Sequence, residues 1–286
     1  MMGILWALVA SVSWGTADFF AKLSSDRLGA SVTLLWVQGL SVLFLGLLVL
    51  VTGAWHAAAW GAWAGAIALG VTNTIAVLFL YRSFEVGTLS LVSPIASSFP
   101  AVSLLLSLLL LHASWTPMKA AGIVVIMGGT LLASLVTTDA PVAQHERPMA
   151  NGVPEALVAS VGMGVTMFGL VYVSGLGSLT ATWILRVTAT VLLVVGLGLR
   201  RRIAMPPRDL WPVVLATSGF DTLAFVAYNQ SLVGGEVGLA APISGSFAIP
   251  TLILARVFLK EHLKPHQWLG IVAVLAGIVL VSLPQG

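Results

Sequence analysis

The chain has 286 residues, of which 58% are hydrophobic and 8% charged, against roughly 25% charged in an ordinary soluble domain. Its 13 Lys/Arg and 10 Asp/Glu cannot cover a soluble globule of this length, and the mean hydropathy of +1.04 makes the same point. These figures argue against a soluble enzyme, a nucleic-acid-binding module and a disordered chain, and leave a polytopic membrane protein, whose lipid solvent accepts apolar residues all round a helix.

A span needs about 20 mostly apolar residues. Ten such stretches follow one another at 3–23, 31–51, 60–84, 88–111, 117–137, 153–174, 179–199, 210–233, 237–259 and 265–283. The first is longer than a signal-peptide core and has no basic residues before it, so it reads as a helix. Longer connections fall only at Thr138–Gly152, with Pro141 and Pro148, and at Arg200–Asp209, with Pro206 and Pro207. Helices are expected throughout, because open backbone in lipid leaves polar groups unpaired and barrel strands would alternate rather than run apolar. With no cysteine there are no disulfides and no thiolate metal sites.

Sliding the chain on itself by 148 residues reveals a repeat. Pro94 falls on Pro242, Ser98-Phe99 on Ser246-Phe247, Pro117 on Pro265, Gly122-Ile123-Val124 on Gly270-Ile271-Val272 and Gly129 on Gly277. With one residue of slip, Ser11 and Gly15 fall on Ser160 and Gly164. Each unit holds five predicted helices. An odd number turns the second unit upside down, the inverted arrangement of secondary transporters, whose sites lie at the repeat interface. The expected fold is therefore an all-α polytopic membrane protein of ten transmembrane helices in two inverted five-helix repeats, 1–140 and 153–286, joined by a linker at 141–152.

Trp14-Gly15, Pro94, Pro242, Lys260-Glu261, and Pro265 followed by Trp268-Leu269-Gly270-Ile271 and Gly277 resemble the EamA-type, ten-helix branch of the drug/metabolite transporter superfamily. The resemblance covers essentially the whole chain. One departure is Ala113, where the family often has an acid matching Glu261. The resemblance implies export or exchange of small metabolites such as amino acids, driven by proton or solute gradients, and both termini inside. The charges imply the reverse orientation. Lys22, Arg27, Arg82, Arg147, Arg200, Arg201, Arg202, Arg208, Lys260 and Lys264 follow odd-numbered spans, and the opposite side holds Lys119 alone. Basic residues mark the cytoplasmic side, which puts the termini outside.

Charged groups inside a span cost roughly 2.5–3.5 kcal/mol on insertion scales and are kept where they face a bundle interior or cavity. Asp18, Arg186 and Asp221 are such groups. Asp18 shares a helix face with Ser11 and Trp14; it reads as a substrate or proton site, or alternatively as an interface pair with Lys22 one turn on. Arg186 and Asp221 correspond to Gln38 and Asn73 in the first half, a charged pair against an amide pair, and are expected to touch, as a cavity pair or as a purely structural one. Ser93 and Ser97 share a face with Ser90 beside Pro94 and Pro100, and Ser244 and Ser246 lie between Pro242 and Pro250. Each proline leaves a carbonyl without its helical partner. Paired interruptions in the two halves point to a binding site with hinges at these prolines; kinks for packing are the alternative. Tyr228 could stack on a flat or cationic ligand, whereas Tyr81, like Trp55, Trp60, Trp63, Trp115, Trp211 and Trp268, reads as an interface-belt residue.

No H-E-x-x-H, G-x-S-x-G or Walker loop is present, so no enzyme, metal, cofactor or ATP-driven pump is expected. The reading that results is a secondary-active transporter in a bacterial plasma (inner) membrane, taking a small-molecule substrate, surrounded by membrane lipid, coupled to protons or a solute, binding no nucleic acid, and working as a monomer or homodimer. The alternative is a non-transporting component such as a lipid-handling or scaffold protein, whose cavity would open sideways to lipid.

Overall fold

A computed structural model describes residues 2–55, 58–110, 116–134, 152–233, 244–261 and 264–282. All its regular structure is helical: α1 Met2–Leu28, α2 Ala30–Thr52, α3 Trp60–Val86, α4 Leu89–Ala96, α5 Phe99–Leu110, α6 Pro117–Ser134, α7 Val153–Gly169, α8 Ser178–Leu199, α9 Trp211–Val233, α10 Ala248–Leu254 and α11 Pro265–Ser282. Among the described residues no strand occurs. Among the described residues seven helical stretches are long and apolar enough to cross a membrane, and three shorter apolar ones, Ala120–Gly129, Ala248–Leu259 and Trp268–Leu280, occupy the fifth, ninth and tenth predicted spans.

The helices form because apolar side chains find a favourable surrounding on every side. On α2, Leu34, Leu45 and Val49 are buried, while Leu43, Leu47, Leu50 and Val51 lie on the outside, each more than 60% exposed. Such an outer face belongs against hydrocarbon rather than water. α2 stops where Gly53 takes the left-handed conformation, φ 63°, and its N–H closes on the Val49 carbonyl, a turn that a residue without Cβ makes at least cost.

Two predicted spans are not single helices. The fourth breaks at residues 97–98 and the ninth at 246–247, within one residue of equivalent points of the repeat. Pro94 lies inside α4 and supplies no N–H to the Ser90 carbonyl. Serine hydroxyls satisfy the carbonyls at the break: Ser97 donates to Pro94 O at 2.8 Å and Ser98 to Ile95 O at 2.6 Å. Pro100 and Pro250 correct the expectation of interior breaks. They sit in the first turns of α5 and α10, where a missing N–H removes no helical bond. Further along, the ninth span widens into a π-helical turn at Ala255–Leu259. The sixth span is α-helical only to Gly169, then 3-10 through Leu176. Pro242, Ala113 and nearly all of the predicted linker lie outside the described residues.

Packing comes in pairs related by the repeat. α1 lies on α9 as α3 lies on α7, and α1 meets α10 as α7 meets α5, while α2 packs on its counterpart α8 and α6 on its counterpart α11. The equivalence reaches single atoms. A Cβ on Gly15 would stand 2.7 Å from the Phe247 carbonyl oxygen, and one on Gly164 2.8 Å from that of Phe99. Between α6 and α11, Gly129 lies against the Gly270 carbonyl and Gly277 against that of Gly122, at 2.7 and 2.9 Å from the same built atom. Ser11 meets Ser246 at 3.4 Å, and Ser160 meets Ser98 at 2.9 Å. Small residues at these crossings let backbones touch, which is how helices gain contact without a hydrophobic drive between them.

Candidate functional site

A cavity of about 540 Å³ opens where α1, α3, α5, α7, α8 and α9 converge with the chain at Ser244–Phe247, a size that suits a small organic ligand. Arg186, on α8 and 3% exposed, forms its floor. Its Nη2 donates to Asp221 Oδ2 at 2.6 Å and its Nη1 to Gln38 Oε1 at 2.8 Å, and the guanidinium carbon lies 4.6 Å from the centre of the Phe225 ring. Arg186 Nε and Gln38 Nε2 are buried and have no hydrogen-bond partner among the described residues. The pair is anchored because one carboxylate, one amide oxygen and one aromatic face together replace the water a guanidinium would have.

Asp18 lines the wall contributed by α1. It accepts a hydrogen bond from Ser93 at 3.2 Å. The expected alternative, a pair with Lys22, is not made: Lys22 turns the other way and binds Asp26 at 2.8 Å. A turn before Asp18, Trp14 gathers three rings, those of Phe225, Tyr228 and Phe247, with centroids at 5.3, 5.7 and 6.0 Å. Phe247 in turn stacks on its repeat counterpart Phe99 at 6.5 Å.

The structure thus gathers Trp14, Asp18, Asn73, Arg186, Asp221, Tyr228 and Ser244 around one cavity, with Pro100 at its edge. Ser93 stands behind Asp18. Ser97 is fully buried and bonded to its own helix, Ser246 pairs with Ser11, and neither lines the cavity; nor do Pro94, inside α4, and Pro250, packed on Gly15. Pro242 is outside the described residues. Tyr81 departs from the interface-belt expectation: it is 5% exposed and faces the cavity. Phe99, Phe225, Phe247, Met163 and Met167 line it too. Two of these carry a sequence signal, since Phe99 and Phe247 match across the repeat beside Ser98 and Ser246. Phe225 has only its place one turn after Asp221. Among the described residues no group of three or more His, Asp or Glu is placed to hold a metal ion.

Comparison with known proteins adds three findings. The model of the EamA-like transporter family matches residues 1–135 and 151–283. The spermidine export protein MdtI of Salmonella paratyphi B, and that of Salmonella newport, are each 33% identical over 60 residues, 21% of this chain and 55% of theirs. The chain spans about half the length of these curated relatives. A solved crystal structure superposes with a TM-score of 0.60 at 15% identity, covering 97% of this chain and 95% of its own, which is a likeness of fold. The family match and the seven membrane-length helices make this an integral membrane protein.

Proposed function

Because the chain belongs to the EamA-like transporter family, we propose that it is a secondary-active transporter of small metabolites, working by alternating access from a bacterial inner membrane. Its ten apolar segments cross the membrane as two inverted five-helix units, with the loops after odd-numbered spans in the cytoplasm. The substrates are amino acids or related amino compounds, exported or exchanged; the relatives named for spermidine export lend weight to the amino group in that description. Protons or a second solute supply the drive.

One observation carries the reading. The cavity lies between the two halves, and each half has a helix broken within one residue of the equivalent point, at residues 97–98 and 246–247. Two-fold related breaks let one unit rock against the other around a fixed site, with little repacking inside either. Crossings such as Ser11–Ser246 and Ser98–Ser160 would exchange roles as the cavity turns from one side to the other.

The test is flux. Purified protein reconstituted in liposomes should move at least one labelled amino compound faster than empty liposomes, and saturably. A folded protein that moves no member of a panel of amino acids, amines and organic acids would overturn the proposal.

A further inference from the structure

We propose that the cavity takes a small organic amine with a single ammonium group and an apolar body, with Asp18 as its counter-charge. This rests on the transport reading above and narrows its substrate class.

The charges in the cavity decide the sign. Arg186 is paired with the Asp221 carboxylate through one terminal nitrogen and with the Gln38 amide oxygen through the other, and its Nε is buried away from the cavity. Asp221 is thereby balanced. Asp18 is not: it is 8% exposed, accepts from the Ser93 hydroxyl, and meets no cation among the described residues. An ionised carboxylate away from water is costly until a cation pairs with it. A ligand ammonium supplies that cation. A ligand carboxylate meets, among the described residues, only a cation whose charge Asp221 already balances, and is repelled by Asp18. A ligand with several ammonium groups finds only one unbalanced acid among the described residues that line the cavity.

The two lobes of the cavity decide the shape. Trp14 and Asp18 on α1 have Met163 and Met167 as counterparts on α7, and all four line the cavity. Beside Trp14 stand Phe225 and Tyr228; at the equivalent places of α3 stand Val77 and Leu80. The repeat has therefore diverged into one lobe with an acid among aromatic rings and another lined by thioethers and aliphatic groups. Aromatic faces attract cations, and this cavity already holds one on such a face, the Arg186 guanidinium over Phe225. Methionine adapts to apolar shapes of several kinds. An amine with its nitrogen at Asp18 and its body against Met163 and Met167 uses both lobes at once.

Three probes of one shape separate the possibilities: 2-phenylethylamine is a cation, phenylalanine a zwitterion and 3-phenylpropionate an anion. Titration calorimetry on the full chain in detergent should rank them in that order, with the amine ahead of phenylalanine by about tenfold or more. Spermidine should bind more weakly than phenylethylamine. Asp18→Asn should remove that lead, bringing the amine's affinity down to that of phenylalanine. Phenylalanine or 3-phenylpropionate binding more tightly than the amine, or an Asp18→Asn protein that keeps the amine's lead, would overturn the proposal; should that variant not fold, the ranking on the unaltered chain decides alone. Liposome flux keeps the two readings apart. Flux of phenylalanine without flux or binding of phenylethylamine sinks the amine proposal and leaves the transporter standing. Binding of the amine in the expected order, with no flux of any compound, does the opposite.

Discussion

Gln38 and Arg186 are 148 residues apart in sequence and 2.8 Å apart in space. That separation is the repeat length, so the two occupy the same place in the two halves. Equivalent residues of two repeats touch only where the two halves meet, and this hydrogen bond marks such a place. The repeat has become asymmetric at its own centre. One half carries an arginine where the other carries a glutamine, and Asn73 and its counterpart Asp221 both line the cavity.

The asymmetry makes a pairwise prediction. Asp221→Asn leaves the Arg186 charge buried without its carboxylate, which costs about 3–5 kcal/mol when a buried pair is broken from one side. The double change Arg186→Gln with Asp221→Asn copies the first half and leaves no charge uncompensated. Thermal unfolding in detergent should rank the single variant below the double. Equal loss in the two would show that the ion pair contributes nothing of its own.

A second prediction uses the crossings. A methyl on Gly15 would fall 2.6 Å from Pro250 Cγ, and one on Gly164 2.5 Å from Val102 Cβ. Both approaches are far inside contact distance. Gly15→Ala and Gly164→Ala should each lower stability by about 1–3 kcal/mol, as overpacking does, and by similar amounts because the crossings are equivalent. Gly61→Ala, with nothing within 4 Å, is the control and should unfold at the unaltered temperature. A neutral Gly164→Ala would mean that α5 and α7 do not approach as described.

A third concerns Glu261. Its carboxylate accepts the backbone N–H groups of Leu89 at 2.9 Å and Ser90 at 2.7 Å, closing the start of α4 from the far end of the other half. Glu261→Ala should cost about 0.5–2 kcal/mol, the usual loss when a helix start is left uncapped. Hydrogen exchange at Leu89 and Ser90 should rise in that variant while exchange in α2 stays unchanged. Unchanged exchange at both amides would remove this contact from the account.

Much of this was legible in the sequence because membrane spans advertise themselves by composition, and the repeat by its matched prolines and glycines. The contact of Arg186 with Asp221 followed from a matched depth and from the amide pair, Gln38 and Asn73, at the equivalent places of the first half. What the sequence could not give has a common cause. A repeat tells which residues correspond, not which meet, so Gln38 was legible as the counterpart of Arg186 but not as its partner. Tyr81 sits near the end of its predicted span, yet the side chain faces inward, and depth alone does not set direction around a helix. The choice of Lys22 for Asp26 over Asp18 is likewise local, since both acids stand one turn away. Pro100 and Pro250 misled because a proline reads as a break wherever a helix is assumed to run through it.

Orientation yields a fourth prediction. The chain has no cysteine, so a single introduced thiol reports its own side. Arg202, exposed after α8, should lie in the cytoplasm by the distribution of basic residues. Arg202→Cys should ignore an impermeant maleimide added to intact cells and react in inverted vesicles. Labelling of intact cells would place the termini inside instead.

The central claim is that one cavity serves both sides of the membrane in turn. Ser103 is half-buried on α5 and lines that cavity, so Ser103→Cys places the only thiol there. An impermeant maleimide should label it both from outside intact cells and in inverted vesicles, and a bound substrate should slow both reactions. Labelling by lipid-soluble reagents alone would mean a pocket that opens sideways to lipid, and would contradict alternating access.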